Sequence, residues 1–253
     1  MKKKFFLSLC LGLLAFAPSL AFAGTRQPVT PREQKTFPYN LIYDWYVTKS
    51  DGQTMRSTGT YIGGGKFLSS AHSITDRYGR YSSSNTAISI APDASEQFKV
   101  YSQGNNNPFK VMPGYAGFDD LRNDISITEI TEPISINTNS QGIKLKVYQD
   151  LSKLVGKTVY TAGYSSYTKT DFTKSKGKIL SVASDGTLIA DLGSAKENSG
   201  SAVYLNGEII GILTAITDEC IRQDTCKRGT ITPLTMEIKQ KLLDPNGIPS
   251  YVE

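Results

Sequence analysis

Short runs of β-branched and aromatic residues recur along this chain, separated by clusters of Gly, Asn, Ser and Asp. Such runs, bounded by turn residues, are typical of β-strands, and their regular recurrence predicts an all-β protein. The runs that predict strands are residues 41–48, 60–62, 87–90, 125–128, 158–161, 178–182 and 187–190.

Two patterns near the end of the chain predict specific elements. Apolar runs at residues 203–205 and 208–212 flank Asn206-Gly207, and Asn-Gly between such runs is the strongest short-range signal of a β-hairpin. Residues 236–243 are instead apolar at helical spacing. We expect them to form a terminal helix that packs on the β-structure.

The amino terminus has the three parts of an export signal. Residues 2–4 are basic, residues 5–17 are apolar, and residues 21–23 form a small-x-small cleavage site. A transmembrane segment is the alternative, but the apolar run is short and Pro18 interrupts its end. We therefore expect a secreted or periplasmic protein that begins at Gly24 and has no membrane anchor.

The charge balance excludes some partners. The chain of 253 residues has 28 Lys and Arg against 23 Asp and Glu, a net charge of +5. Three of the lysines and none of the acids lie in the export signal, so the mature chain has a net charge of only +2. Such a balanced surface gives no electrostatic reason to expect a nucleic acid or an anionic membrane as partner.

Cysteine usage also fits export. Of the three cysteines, Cys10 lies in the export signal. In an oxidising compartment Cys220 and Cys226 most simply form one short local disulfide, with two free thiols as the alternative. One histidine and two cysteines make a His/Cys zinc site improbable, and we expect no metal and no other cofactor.

Three residues far apart in the chain carry candidate chemistry. His72, the only histidine, closes a strand-like stretch, Asp124 begins another, and Ser199 lies in Asn-Ser-Gly-Ser. Each alone has an ordinary interpretation as a structural histidine, a turn aspartate or a loop serine. Together they supply what a nucleophilic serine needs, a base and a carboxylate that orients it. We therefore predict a catalytic triad of His72, Asp124 and Ser199.

At these residues the chain resembles the trypsin-like serine proteases, whose triads have the same order along the sequence. It resembles especially the secreted V8-like branch of glutamyl endopeptidases and exfoliative toxins. The hairpin at residues 205–212 is also similar to the protease domain of the HtrA family. The segments that match the V8-like branch in order and spacing are Ala162-Gly163-Tyr164, residues 175–179, Asp191-Leu192 and Asn198-Ser199-Gly200-Ser201.

The resemblance implies two six-stranded antiparallel Greek-key barrels of the chymotrypsin type, with a C-terminal helix and the active site in the cleft. His72 and Asp124 would lie on the first barrel and Ser199 on the second. Together with the patterns along the chain, this predicts a signal peptide at 1–23, an arm or propeptide at 24–37, a first barrel at 38–135, a crossover at 136–155 and a second barrel with the helix at 156–253.

One residue departs from the family pattern. In the family, the backbone N–H groups of the serine and of the residue two before it stabilise the oxyanion, and here these belong to Ser199 and Glu197. The family has glycine at the second position, so Glu197 could flip a peptide bond and leave the oxyanion hole unformed. Its charge would also disfavour an oxyanion unless the side chain points to solvent or pairs, for instance with Lys196.

The resemblance places Gly193, Ser194, Leu213, Thr214 and Ala215 in the substrate-binding region. Gly193 stands where chains that select Arg or Lys at P1 carry Asp. Ser194 matches a small hydroxyl residue that helps to bind acidic P1 side chains, but Leu213 replaces a histidine of that branch, and burying an unpaired carboxylate is costly. We expect a small or medium apolar P1 residue; glutamate stays open if the mature amino terminus or a lysine supplies the cation.

The sequence thus predicts a secreted serine endopeptidase that acts on protein or peptide substrates, and we expect a monomer. The alternative is a catalytically weak or inactive protease-like binding protein or toxin, for which Glu197 is the motive. A periplasmic quality-control protease is a third interpretation, based on the HtrA-like hairpin.

Overall fold

The computed structural model describes residues 24–49, 52–81, 86–101, 107–130, 143–165, 171–216, 220–222 and 225–253. For residues 216, 220–222, 225 and 226 it describes the backbone alone. The export signal predicted at residues 1–23 lies outside the described residues.

The described chain begins with a short arm. It contains β1 (Arg26–Pro28), α1 (Pro31–Gln34) and a 3-10 turn (Tyr39–Leu41). Thr30 caps α1, because its hydroxyl accepts the N–H of Glu33 while the Glu33 carboxylate accepts the N–H of Thr30. Contacts within the arm itself therefore stabilise the start of α1.

The first half of the chain folds into one curled antiparallel sheet. Its strands are β2 (Ile42–Thr48), β3 (Thr54–Gly63), β4 (Lys66–Ser69), β5 (Thr86–Ile90), β6 (Gln97–Tyr101), β7 (Phe109–Val111) and β8 (Ser126–Glu129). They lie in the order β6-β5-β2-β3-β4-β8-β7. In the described part the end strands β6 and β7 do not pair, so this sheet is curled rather than closed by hydrogen bonds. A 3-10 turn (Leu121–Asn123) precedes β8.

The second half closes into a six-stranded barrel. Its elements are β9 (Leu145–Val147), a 3-10 turn (Leu151–Leu154), β10 (Thr158–Tyr164), β11 (Phe172–Val182), β12 (Leu188–Ala190), β13 (Ala202–Leu205), β14 (Glu208–Ile216), β15 (Cys220–Arg222), β16 (Thr225–Cys226), β17 (Gly229–Pro233) and β18 (Ser250–Val252). The barrel order is β13-β10-β11-β12-β17-β14, and it closes because β13 also pairs with β14. Strand β1 adds to β11, while β9 and β18 extend the sheet beyond β14.

Two local predictions are confirmed. The Asn206-Gly207 turn joins β13 to β14, and φ values of 53° and 83° at its two residues are those of a primed hairpin turn. The terminal helix begins as α2 (Met236–Ile238) and continues as a π-helical turn (Lys239–Leu243) and a 3-10 turn (Asp244–Asn246).

An apolar cluster joins the two halves. Trp45, Phe67 and Tyr43 pack ring against ring in the first half, with centroids 5.1–5.4 Å apart. The same cluster includes Ile212 of the second barrel and Leu242 of the terminal helix. Burial of these side chains is the main force that holds the halves together.

The architecture confirms the predicted chymotrypsin-like fold. The sequence runs did not reveal several short strands, among them β6, β7 and β9, because three to five residues show too little alternation. The predicted disulfide stays a prediction: β15 and β16 place Cys220 opposite Cys226 along the backbone, but their side chains lie outside the described residues.

Candidate active site

His72 and Asp124 meet at the end of the first sheet. β4 and β8 are neighbours, with Ser69 opposite Ser126, so the segments that flank them lie side by side. Asp124 Oδ1 accepts the backbone N–H of His72 at 2.8 Å, and Asp124 Oδ2 lies 2.6 Å from His72 Nδ1. The Asp124 side chain is 1% exposed and that of His72 15%. The carboxylate therefore fixes both the position and the orientation of the imidazole.

This arrangement sets the role of each ring nitrogen. An ionised carboxylate accepts hydrogen bonds only, so Nδ1 of His72 carries the proton when the ring is neutral. Nε2 is then the acceptor, and it lies on the edge of the ring away from Asp124. A neutral imidazole held in this way can take a proton from a hydroxyl that approaches Nε2.

Two residues that sequence reasoning missed lie beside His72. The Phe118 ring packs edge-on against His72, with centroids 5.8 Å apart, although Phe118 is 40% exposed. Lys49 Nζ lies 5.3 Å from the centre of the Phe118 ring and donates to the His72 carbonyl at 3.5 Å. Phe118 thus covers one face of the site, and an exposed aromatic residue in a loop was the signal that could have revealed it.

Ser199 lies on the second barrel where the two halves touch. Its carbonyl accepts the N–H of Thr58 of β3 at 2.8 Å. The next residue, Gly200, has a φ of 86°, and a Cβ there would lie 2.1 Å from the Thr58 carbonyl and 2.3 Å from Ser69 Oγ. Only glycine fits this contact. The serine loop therefore packs against the segment that leads into His72.

The Ser199 hydroxyl donates to the Thr214 carbonyl at 3.4 Å, a long hydrogen bond. The serine is half-buried, while the neighbouring Asn198 is buried. Asn198 Nδ2 donates to the Tyr164 carbonyl at 2.8 Å and its Oδ1 accepts the N–H of Ala195 at 3.0 Å. Asn198 thus holds the loop that carries Ser199 to β10.

The loop before Ser199 is a tight turn with Glu197 in an unusual conformation. The N–H of Asn198 donates to the Ala195 carbonyl at 3.2 Å, and Glu197 has a φ of 72°. A positive φ at the third residue is characteristic of a type II turn, whereas the type I turn that results from flipping the central peptide has a negative φ there. Glu197 therefore adopts the backbone conformation for which the family uses glycine.

The predicted substrate-binding residues lie on two neighbouring segments. The N–H of Gly193 donates to Ser175 Oγ at 2.9 Å, and Ser194 Oγ donates to the Arg228 carbonyl at 3.2 Å. Thr214 and Ala215 lie on β14 beside the serine loop, with Thr214 Oγ1 3.4 Å from the Thr230 carbonyl.

Leu213, in contrast, is buried in the apolar core of the second barrel. Of the predicted substrate-binding residues, Leu213 alone has its side chain in this core cluster.

A cavity of about 680 Å³ lies elsewhere, between the arm and the second barrel. His72, Asp124 and Ser199 do not line it. Its lining includes Thr25 and Gln27 on the arm, Tyr39, and Tyr160 and Lys174 on β10 and β11.

Within the described ranges, no three His, Cys, Asp or Glu side chains are grouped so that they could hold a metal ion. The described helices include none that is both long and apolar enough to span a membrane.

Several solved proteases have the same fold. A Glu endopeptidase solved in complex with MPD aligns with a TM-score of 0.65 at 19% identity, over 88% of this chain and 96% of that one. The protease Anisep from Arthrobacter nicotinovorans aligns with a TM-score of 0.64 at 10% identity, over 86% and 97% of the two chains. HL collagenase aligns with a TM-score of 0.63 at 13% identity, over 83% and 94%.

At these identities the structures establish the fold alone, and comparison with curated protein sequences gives no significant match. The family model described as Trypsin matches residues 34–239, most of the chain. The chain therefore belongs to the trypsin family, the serine peptidases of the chymotrypsin fold.

Proposed function

We propose that this chain is a secreted serine endopeptidase that works by acyl-enzyme chemistry with Ser199 as nucleophile, His72 as base and Asp124 as the residue that orients the base. The observation that carries the proposal is the His72–Asp124 pair, with a 2.6 Å contact to a carboxylate that is 1% exposed. A buried carboxylate bonded to both the backbone and the ring of one histidine is the arrangement that a serine hydrolase needs.

In the first step, Ser199 Oγ attacks the carbonyl carbon of the scissile peptide bond while His72 Nε2 takes the hydroxyl proton. The imidazolium is stabilised by Asp124 and then protonates the leaving amine. Water then gives a proton to the same nitrogen and attacks the acyl carbon, and His72 returns that proton to Ser199 Oγ as the ester bond breaks and the carboxylic acid product leaves. For the first step the Ser199 hydroxyl turns toward His72 from the Thr214 carbonyl, to which it donates at 3.4 Å.

The tetrahedral intermediate carries a negative oxygen that needs backbone donors. We assign this role to the N–H groups of Ser199 and Glu197. The type II turn at residues 195–198 supports the assignment, because it gives Glu197 the positive φ for which the family uses glycine at this position. A backbone donor that is already in place costs no reorganisation when charge develops.

The test is labelling with a fluorophosphonate, which reacts quickly only with an activated serine. We expect the wild-type protein to label, and Ser199→Ala, His72→Ala and Asp124→Asn to lose labelling and peptide hydrolysis by a factor on the order of 10⁴. Ser201→Ala is the matched control, because Ser201 Oγ is buried and makes no hydrogen bond in the described structure. Equal labelling of wild type and Ser199→Ala would reject the assignment.

A second candidate function is a protease-like binding protein with weak or no catalysis. Glu197 favours it, because a carboxylate two residues from the nucleophile opposes a developing oxyanion. A folded wild-type protein that binds peptides but does not label would establish this alternative.

A further inference from the structure

Arg26 on β1 is an enclosed cation that the proposed catalytic mechanism does not use. Its Nε and Nη1 atoms are buried and have no hydrogen-bond partner in the described structure. Burial lowers the pKa of the Arg26 guanidinium to about 9, and among the described residues no carboxylate contributes to the shift. Burying an unpaired charge is costly, so a folded protein keeps one only where something offsets the cost.

The Arg26 side chain points into the second barrel domain rather than to the outside. Successive side chains of a strand lie on opposite faces. Thr25 and Gln27 line the outer cavity between the arm and the barrel, so Arg26 between them projects from the other face. Arg26 as a whole is partly exposed, so the space around its side chain is open to solvent on one side.

That face of β1 lies against the predicted substrate-binding segment. Arg26 pairs with Ser175 in the register of β1 and β11, and Ser175 Oγ accepts the N–H of Gly193. A Cβ at Gly193 would lie 3.1 Å from Arg26 Cγ and 2.6 Å from the Gly24 carbonyl. The stem of Arg26 therefore occupies the space into which a side chain at position 193 would project.

The backbone of residues 227 and 228 borders the same space. Lys227 lies against Gly24, since a Cβ at Gly24 would be 3.1 Å from the Lys227 carbonyl. The next residue, Arg228, supplies the carbonyl that accepts from Ser194 Oγ. A carboxylate that entered beside Gly193 and Ser194 would meet the guanidinium of Arg26 and the hydroxyl of Ser194.

We propose that Arg26 is the specificity-determining cation of the P1 pocket and that the enzyme cleaves after residues with a carboxylate side chain. The inference rests on the proposed peptidase function. It replaces the expectation of an apolar P1 residue, which was based on the loss of a cation at Leu213. The cation comes instead from β1, a strand that is remote from Gly193 in sequence, and substrate binding gives the Arg26 guanidinium the carboxylate partner that no described residue supplies.

The experiment uses four quenched peptides that are identical except for Glu, Gln, Ala or Lys at P1. A charge-assisted hydrogen bond corresponds to a preference of roughly 10- to 100-fold, so we expect kcat/KM of the wild type to favour Glu over Gln by that factor. Arg26→Gln should reduce the ratio to about one, and Arg26→Lys should retain part of it. Lys227→Gln, the matched control at a neighbouring exposed cation, should keep the wild-type ratio.

Folding and catalysis are controlled separately. Arg26→Met removes the buried charge and replaces it with an apolar side chain, so we expect a higher melting temperature together with loss of the Glu preference. Fluorophosphonate titration of every variant gives the fraction of competent sites, so that kcat/KM is compared per active site.

Binding of the same peptides to Ser199→Ala, measured by calorimetry, tests the inference without catalysis. Tighter binding of the Glu than of the Gln peptide, abolished by Arg26→Met, supports the Arg26 assignment even if the protein fails to label. A preference for Ala or Gln over Glu in the wild type, or a Glu preference that survives in all three Arg26 variants, would overturn it.

Discussion

At the scale of single residues, Glu197 has a backbone conformation that is unfavourable for its residue type. Its φ of 72° is a left-handed conformation that costs a non-glycine residue roughly 1–2 kcal/mol. The turn keeps this conformation because Asn198 is anchored on both sides, to Ala195 and to the Tyr164 carbonyl. These contacts therefore hold the backbone in a strained conformation beside the proposed oxyanion hole.

Glu197→Gly should relieve that strain and raise the free energy of unfolding by about 1 kcal/mol, measured by urea denaturation. Ala94→Gly is the matched control, since Ala94 has a φ of 56° in the turn between β5 and β6 and should gain similar stability without any change in turnover. Glu197→Gln separates charge from strain: it should speed acylation in single-turnover kinetics and leave stability unchanged. Faster acylation in Glu197→Gly but not in Glu197→Gln would contradict an effect of charge.

At the scale of elements, the stability of a short helix depends on the capping of its ends and on the side chains against which it packs. The terminal helix has one α-helical turn, Met236–Ile238, before it widens into the π-helical turn Lys239–Leu243. Thr235 caps it, because the Ile238 N–H donates to Thr235 Oγ1 at 3.3 Å. Leu242 and Leu243 are buried in the cluster that joins the halves, so the cap positions an element that the whole fold uses.

Thr235→Ala should lower the free energy of unfolding by about 1 kcal/mol, because it leaves the first turn of the helix without its side-chain acceptor. Thr235→Ser keeps the hydroxyl and should behave like the wild type. Thermal denaturation followed by circular dichroism measures both variants. If the serine variant lost as much stability as the alanine variant, the methyl group rather than the cap would be responsible.

At the scale of the whole molecule, several kinds of contact hold the two halves together. The shared apolar cluster runs from Trp45 to the terminal helix. Thr58 of the first sheet donates its N–H to Ser199 and accepts the N–H of Tyr164 on its hydroxyl at 2.9 Å. Arg56 pairs with Asp44 at 2.6 Å and reaches Asp171 of the second half at 3.4 Å. We expect such extensive coupling to make the two halves unfold together.

The chain has a single tryptophan, Trp45, which is fully buried in the first half. Its fluorescence therefore reports the packing of the first sheet and of the apolar cluster around it, while far-ultraviolet circular dichroism reports the backbone of both halves. We expect the two signals to give the same midpoint in urea, as in a two-state transition. A fluorescence midpoint clearly below the circular dichroism midpoint would show that the halves unfold independently.

Local sequence patterns predicted one of the hairpins and the candidate triad. Asn206-Gly207 between apolar runs specified a hairpin, because few dipeptides adopt two positive φ values readily. His72, Asp124 and Ser199 could be chosen because serine chemistry needs those residue types, and the structure brings the first two together and sets Ser199 at the contact between the halves. Short strands such as β9 escaped prediction, since their pairing partners and not their own residues decide their conformation.

The sequence by itself therefore determined the all-β class, the family and the candidate triad, because periodicity and side-chain chemistry are local properties. The tertiary structure decided the environment of each group. It placed Phe118 against His72, gave Glu197 its left-handed turn and set Arg26 beside Gly193. These contacts join residues that are far apart in the chain or depend on anchors elsewhere, and burial and charge pairing, which decide specificity, follow from the packed fold.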